Sequence, residues 1–378
     1  MAYASGIIFS NLHDQNVTEL TRRRTMASIP FGGRYRLVDF PLSNMVNAGI
    51  RNVSIITHYN YQSLMDHVGS GKDWDLARRT GGLKILPPYI AAYSSYAASE
   101  LYENRLTALM SISNAISHMP GDYIVMSDCD SICNIDLDDM LEQHIKSGAK
   151  ITFAVKKIEL TAEKCSNYNI IFSDNDGNIT DIITHPKNIE GEMDININIA
   201  IASRNYLEAA LLDAAAHGYT SLTRDVVLRN IGRECFRVYR FDGFFANITS
   251  MNDYFDCNMS LLNKENRENL FKIKNRPILT KVRNSAPTKY SDDCTVRNSM
   301  IADGCVINGT VENSILFRGV KVGKGTVVRN SILFQDTTTG ENVTLNCVIA
   351  DKNVVVRDGV MLSGHSTMPL YIDKGKLI

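Results

Sequence analysis

Several side chains in this sequence are of types that handle phosphate or a metal ion. Arginines gather early: Arg22, Arg23 and Arg24 run together, Arg34 and Arg36 follow, and Lys72 lies further on. The planar fork of arginine pairs with phosphate oxygens, so the cluster suits phosphate or another anion. The plainer alternative is a set of surface ion pairs. Asp130 follows the apolar stretch Ile124–Ser127, so it is either a metal ligand or a strand-end turn residue between Asp128 and Asp136. His185 reads as a loop histidine rather than a base. Trp74 reads as the filling of a pocket under its own loop. Cys129 and Cys133 stand four apart with no His or Asn motif beside them, so a thiol nucleophile is not expected.

These residues need elements to position them. Ser5–Phe9, Asn52–Thr57, Tyr123–Ser127, Lys150–Val155 and Ile195–Ala202 are short, apolar and β-branched, like strands buried on both faces. Between them Glu100–His118 keeps helical spacing through Leu101, Leu106, Leu109, Ile112, Ala115 and Ile116. Alternating strands and helices predict a mostly parallel α/β sheet, with ligands bound beyond the C-terminal strand ends. A different pattern starts near Ser285. Arg297-Asn298-Ser299, Glu312-Asn313-Ser314, Arg329-Asn330-Ser331 and Leu345-Asn346-Cys347 recur with their asparagines 15, 17 and 16 residues apart. Turn-plus-aliphatic pieces such as Asp303-Gly304-Cys305-Val306 and Lys324-Gly325-Thr326-Val327 separate them, which predicts a parallel β-helix rather than a sandwich. The expected division is 1–255 for the α/β part, 256–284 for a connecting helix and linker, and 285–378 for the β-helix. Tyr254, Phe255, Met259, Leu261 and Leu262 would form the apolar face of the connecting helix, and Lys264–Glu268 its wetted end.

Composition removes whole classes. Forty basic against forty-one acidic residues give a net charge of −1, which speaks against a nucleic-acid partner. No apolar run approaches the roughly 18 residues that span a bilayer, so no membrane partner is expected. Met1–Gly6 lacks a basic, apolar leader, and the eight cysteines are scattered without a Cys-x-x-Cys pair. The expectation is a cytoplasmic protein with reduced thiols.

The segment Pro30-Phe31-Gly32-Gly33-Arg34-Tyr35-Arg36-Leu37-Val38-Asp39-Phe40-Pro41-Leu42-Ser43-Asn44, continuing through Asn47-Ala48-Gly49-Ile50, resembles the signature of ADP-glucose pyrophosphorylases (glucose-1-phosphate adenylyltransferases). Gly69-Ser70-Gly71-Lys72-Asp73-Trp74-Asp75-Leu76 and Gly81–Tyr89 are similar to that family too. The resemblance runs the length of the chain. It implies a Rossmann-like (GT-A-like) nucleotidyltransferase domain, a C-terminal left-handed parallel β-helix and a tetramer. It also implies a reaction joining glucose 1-phosphate to the α-phosphate of ATP, with Mg²⁺ held by two carboxylates.

The positions that would do this chemistry depart from the family pattern. The family loop Gly-Gly-x-Gly-x-Arg-Leu corresponds to Asn11-Leu12-His13-Asp14-Gln15-Asn16-Val17. Asn16 stands for the arginine, and Asp14 would face polyphosphate with the wrong charge. Met26 stands for the lysine of Arg-Ala-Lys-Pro. Asp130 keeps the carboxylate of Gly-Asp-His-Ile-Tyr, but Asn247 replaces the second one, and an amide is a weaker ligand for a hard divalent ion. His185 replaces the lysine of Glu-Lys-Pro, and Asn104-Arg105-Leu106 replaces Gly-Thr-Ala. Asp225 matches an acidic position near the sugar, or is a helix-surface charge. The resemblance therefore implies the GlgD-type, non-catalytic regulatory branch of the family, acting in glycogen synthesis in a hetero-oligomer, expected as a tetramer, with a catalytic subunit. Arg34, Arg36 and Arg24 would bind a phosphorylated effector, and Asp130 and Asp225 would be the remnant of the substrate pocket. No cofactor is expected of this chain itself, Mg²⁺ entering through the catalytic partner. The alternatives are a weakly active sugar nucleotidyltransferase and a standalone sugar-phosphate or nucleotide sensor. A β-helix acyltransferase fits least, with about four coils and only His365 in them.

Overall fold

Apolar β-branched runs between turn residues pack best on a pleated, covered surface, and here they form one large sheet. The computed structural model describes residues 4–87, 102 and 104–378. Met1, Ala2, Tyr3, Pro88, Tyr89, Glu100 and Leu101, on which parts of the reading above fall, lie outside the described residues. Among the described residues the sheet has nine strands. Gly82–Leu86, Asn52–Ile56, Ala4–Phe9 and Tyr123–Asp128 lie side by side in that order, all parallel. The chain builds outward from Ala4–Phe9 on one side, then returns to its other side. The order thus reverses between Ala4–Phe9 and Tyr123–Asp128, which pair from Ala4 with Tyr123 to Phe9 with Asp128. Open α/β sheets bind ligands beyond the C-terminal strand ends at such a reversal.

The outer half corrects the expectation of a mostly parallel sheet. Gly191–Ser203 runs antiparallel to Tyr123–Asp128 and to Ile151–Leu160, and Ile170–Ser173 and Ile179–Ile183 form an antiparallel hairpin beyond it. Phe236–Arg240 alone restores a parallel pair, with Ile151–Leu160. Adjacent parallel strands need a crossover of a dozen or more residues. Only the connection 174–178 joins adjacent strands, and it is far shorter, so the chain reverses there and Gly191–Ser203 carries the reversed direction into the middle of the sheet. Along Gly191–Ser203, Ile195, Ile197, Ile199 and Ile201 enter one core and Ala200 and Ala202 the other. The ladder breaks register between Asn196 and Ala200, with Asn198 at φ 60°. Asn tolerates that left-handed backbone, and a bulge re-aims a side chain.

Two helices differ from their expected forms. The single helix over Glu100–His118 is two, Arg105–Ser111 and Ser113–Ser117. Asn104 and Thr107 form a reciprocal cap that starts the first at Arg105, and Ser111 Oγ bonds the Ala108 carbonyl where the helix stops. The connecting helix is likewise two, Met251–Ser260 and Lys264–Phe271. The Asn263 side chain accepts the Glu265 N–H, so the charged run begins the second helix instead of ending the first.

From Lys289 the chain forms three parallel sheets of five short strands each, the faces of a left-handed β-helix. Val311, Val328 and Leu345 stack inside it. On another face Leu316, Leu333 and Ala350 point inward, while Ile315, Ile332 and Ile349 join the core of the α/β domain. Phe317 and Phe334 meet edge-on at 5.1 Å, and Tyr254 covers Phe334 at 6.3 Å. The left-handed corners fall on Asn298, Asn313, Asn330 and Cys347. The fourth repeat is therefore offset by one residue: Asn346 ends a strand opposite Arg329, and its side chain accepts from Asn330 at 3.0 Å.

Gly323 lies under the backbone of the next coil, and a Cβ there would collide with the carbonyl oxygens of Gly340 and Thr339. Gly323→Ala is expected to lower stability by about 1–3 kcal/mol through overpacking. An unfolding midpoint equal to wild type would show that the coils part at no cost.

Candidate functional site

The first loop beyond the sheet, where a phosphate cradle would need glycines, is wound up instead. Asp14–Val17 forms a 3₁₀ turn that leads into the helical turn Thr18–Thr21. Asp14 is buried. Its carboxylate accepts the Asn11 side-chain amide and the Met26 N–H, each at 2.7 Å, and Thr21 Oγ1 donates to its carbonyl at 2.7 Å. Burial pushes its carboxyl up to about 6, against the pull of Asn11 and Met26. This corrects the expectation that Asp14 faces a polyphosphate: it turns into the loop and staples it to Met26. Asn11, also buried, accepts from Ser10 Oγ, Thr57 Oγ1 and the His58 N–H. The loop is thus tied down at both ends.

His13 faces the sheet reversal. Its Nε2 lies 2.7 Å from Asp128 Oδ2 and 3.5 Å from Asp130 Oδ2. Arg105 Nη2 reaches the same Asp128 oxygen at 2.6 Å and Asn198 Oδ1 at 3.2 Å. Asn198 Nδ2, aimed by its bulge, donates to Asp130 Oδ2 at 3.1 Å. The five side chains close a ring over the ends of strands Ala4–Phe9 and Tyr123–Asp128. Burial alone would lower the His13 pKa, but Asp130 and Asp128 outweigh it and raise it to about 9, so the imidazole is protonated at neutral pH. Burial raises Asp128, yet Arg105 and His13 together hold it below the usual carboxylate range. Asp130 moves up, by burial first, with His13 opposing and Asp128 adding to the rise.

The other candidate residues are placed as follows. Met26 is buried, its backbone on Asp14. Asn16 donates to the Ile248 carbonyl at 3.4 Å, and the Ile248 N–H donates to the Asp130 carbonyl at 3.1 Å. Asn247 is buried and its Oδ1 has no partner among the described residues. His185 is exposed with φ 55°. Asp225 accepts the N–H groups of Thr220 and Ser221 and pairs with Arg224, which together hold its carboxyl well below the usual range, so it caps its own turn. Trp74 is fully buried against His67. Cys129 and Cys133 are buried, and burial pushes the Cys133 thiol up to about 12, away from a nucleophile.

Arg34 is exposed, its guanidinium 5.9 Å from the Tyr35 ring centroid. Arg36 is buried on Ser63, and Arg24 is buried on Asp351 of the β-helix, 2.6 and 2.7 Å from its two oxygens. A narrow crevice beside them is lined by Arg22, Arg23, Arg24, Asp351, Tyr371 and Lys374.

A functional reading of the sequence passes over His13, Asp128, Arg105 and Asn198. The available signal is the pair Asp128 and Asp130, two carboxylates on alternate residues at a buried strand end, which require counter-charges.

Comparison with known proteins agrees with this architecture. The nucleotidyl transferase family model matches residues 15–227, and the GlmU-like C-terminal hexapeptide model matches 285–366. The glycogen biosynthesis protein GlgD of Bacillus subtilis (strain 168) is 33% identical over 98% of this chain and 95% of its own length. GlgD of Geobacillus stearothermophilus is 36% identical over 85% of this chain and 82% of its own. A glucose-1-phosphate adenylyltransferase of Fervidobacterium nodosum is 28% identical over 98% of this chain and 88% of its own.

Proposed function

This chain belongs to the nucleotidyl transferase family, among the ADP-glucose pyrophosphorylases and GlgD proteins, and from that premise we propose that it is a catalytically impaired, regulatory subunit acting in glycogen biosynthesis. The observation that carries this reading is the first loop. Its backbone is folded onto Asp14 and its His13 is spent on two aspartates, so it offers no free row of N–H groups to a triphosphate. The signature Pro30–Asn44, by contrast, is intact and packed at the junction of the two domains. The Tyr254 hydroxyl donates to the Pro30 carbonyl at 2.6 Å, the Gly32 N–H donates to Asn258 at 2.9 Å, and Tyr35 stacks on Phe271 at 4.8 Å. A chain that keeps its scaffold while its reaction loop is filled still has a surface to offer a catalytic homologue. The proposed assembly is a hetero-oligomer, a tetramer by resemblance, in which exposed Arg34 serves a phosphorylated effector; Arg24 and Arg36, expected to share that role, are buried on Asp351 and Ser63 instead.

Such a subunit acts only through different affinities for the partner's active and inactive states. A coupling of about 1–3 kcal/mol would shift the partner's apparent affinity for substrate or activator roughly 5- to 150-fold. The test mixes this chain with the purified catalytic homologue and records saturation curves and elution volumes, with Arg34→Ala expected to weaken the effect of an anionic activator. Unchanged curves and separate elution would remove the subunit reading and favour a standalone sensor.

A further inference from the structure

The family implies Mg²⁺ between two carboxylates, and the residues present do not fit one. The position of the second carboxylate is Asn247, which leaves Asp128 and Asp130 as the neighbouring pair. With His13 they bring three donor atoms within 4.8 Å of one another, a spacing that a metal ion can bridge. That space is already taken. The Arg105 guanidinium lies 2.6 Å from Asp128, and the His13 imidazole lies 2.7 Å from the same carboxylate. Two buried carboxylates therefore face a guanidinium and an imidazole. A divalent ion would unbalance the set and would have to eject a guanidinium held elsewhere too. Arg105 also bonds Asn198, Asn198 bonds Asp130, and the guanidinium sits 5.8 Å from the centroid of the Phe9 ring. The burial explains why the cations are needed: two uncompensated carboxylates at 0% and 2% side-chain exposure would be costly.

We propose that Arg105 and His13 take the place of a divalent cation at Asp128 and Asp130, so that the cluster at the sheet reversal is metal-independent and becomes a metal site only when Arg105 is removed. The inference rests on the reading that this site has lost its chemistry, but it concerns cation binding rather than partner kinetics. Arg105 is the lock because it bridges Asp128 to Asn198 on the bulged strand.

The experiment titrates Mn²⁺ into the full-length chain and reads the free ion by its electron paramagnetic resonance signal. Wild type is expected to show no saturable site up to about 1 mM, the weak end of protein cation sites. Arg105→Gln should gain one site at least about tenfold tighter, since it removes a unit charge from a partly desolvated cluster. That site should vanish again in Arg105→Gln/Asp130→Asn, and Arg105→Lys should behave as wild type. Saturable Mn²⁺ binding by wild type that Asp130→Asn abolishes would overturn the proposal. So would an Arg105→Gln variant that unfolds like wild type yet gains no site. Should Arg105→Gln fail to fold, the comparison of wild type with Asp130→Asn decides alone. If the partner assay succeeds and this titration fails, the regulatory reading stands and the metal-independence does not.

Discussion

Purified and given ATP, glucose 1-phosphate and Mg²⁺, this chain is expected to release pyrophosphate at least about 10³-fold more slowly than a glycine-loop member of its family. One oriented donor to developing charge is commonly worth about 10²–10³ in rate, and several are altered together here. Asn16 is tied to the Ile248 carbonyl, Met26 has no charge to give, Asn247 is an amide, and His185 is an exposed loop residue. The separate costs do not add, because residues that act as a unit fail as a unit, so the estimate is set near the cost of one such unit. Restoring a single position is not expected to recover turnover. Asp14→Gly, for example, would free the loop but orphan the Met26 N–H and the Asn11 amide that Asp14 accepts. A pyrophosphate-release assay on the isolated chain decides the matter. Turnover within tenfold of an ordinary adenylyltransferase would show that the loop opens and that the ring of charges does not block it.

The parts legible in the sequence were those written in local pattern. The recurrent Asn-Ser corners announced a β-helix, though with about four coils where each face has five strands, and the repeat slipped by one residue where Cys347 occupies a left-handed corner next to Asn346, a backbone conformation that residue type alone disfavours. The inner strands were legible for the same reason, being short, β-branched and buried along their length. The mixed character of the sheet was not, because it depends on the single reversal at 174–178 and on Gly191–Ser203 then entering between strands that run the other way, not on the strands themselves. The ring of charges was hidden more thoroughly. His13, Arg105, Asp128 and Asn198 come from four distant stretches, and Asn198 reaches Asp130 only through a bulge at φ 60°. Asp14 was misread because its type suggests repulsion of phosphate, whereas its burial shows a carboxylate used as a backbone acceptor. Residue type states what a group can do, and only the fold states which partner it has taken.

The arginine cluster makes the same point with a larger energy. Arg24 and Asp351 form a buried ion pair between the α/β domain and the β-helix, with 4% and 2% of their side chains exposed. Asp351 also accepts the Tyr371 hydroxyl at 2.8 Å and the Lys352 N–H at 2.6 Å. Arg24→Ala is expected to destabilise the chain by about 3–5 kcal/mol, the cost of leaving one buried charge without its partner. Asp351→Ala should cost a similar amount, since it strands a buried guanidinium whose Nη1 already lacks a partner among the described residues. Replacing both, as in Arg24→Met/Asp351→Leu, should recover much of the loss, because a well-packed apolar pair can match a buried ionic one. The loss in Arg24→Ala should also depend on pH. Burial first, then Arg36 and Arg24, lower the Lys352 pKa to about 6. A lysine depressed in the folded state makes stability climb as pH rises from about 6 toward its unfolded value. Without Arg24 the depression relaxes, the climb is shallower, and Lys352 stays protonated to higher pH beside Asp351. The destabilisation should therefore be smaller at pH 6 than at pH 9. Urea unfolding of wild type, the two single variants and the double variant at both pH values measures each of these quantities. Single variants within 1 kcal/mol of wild type would show that water reaches the pair and that it does not hold the two domains together.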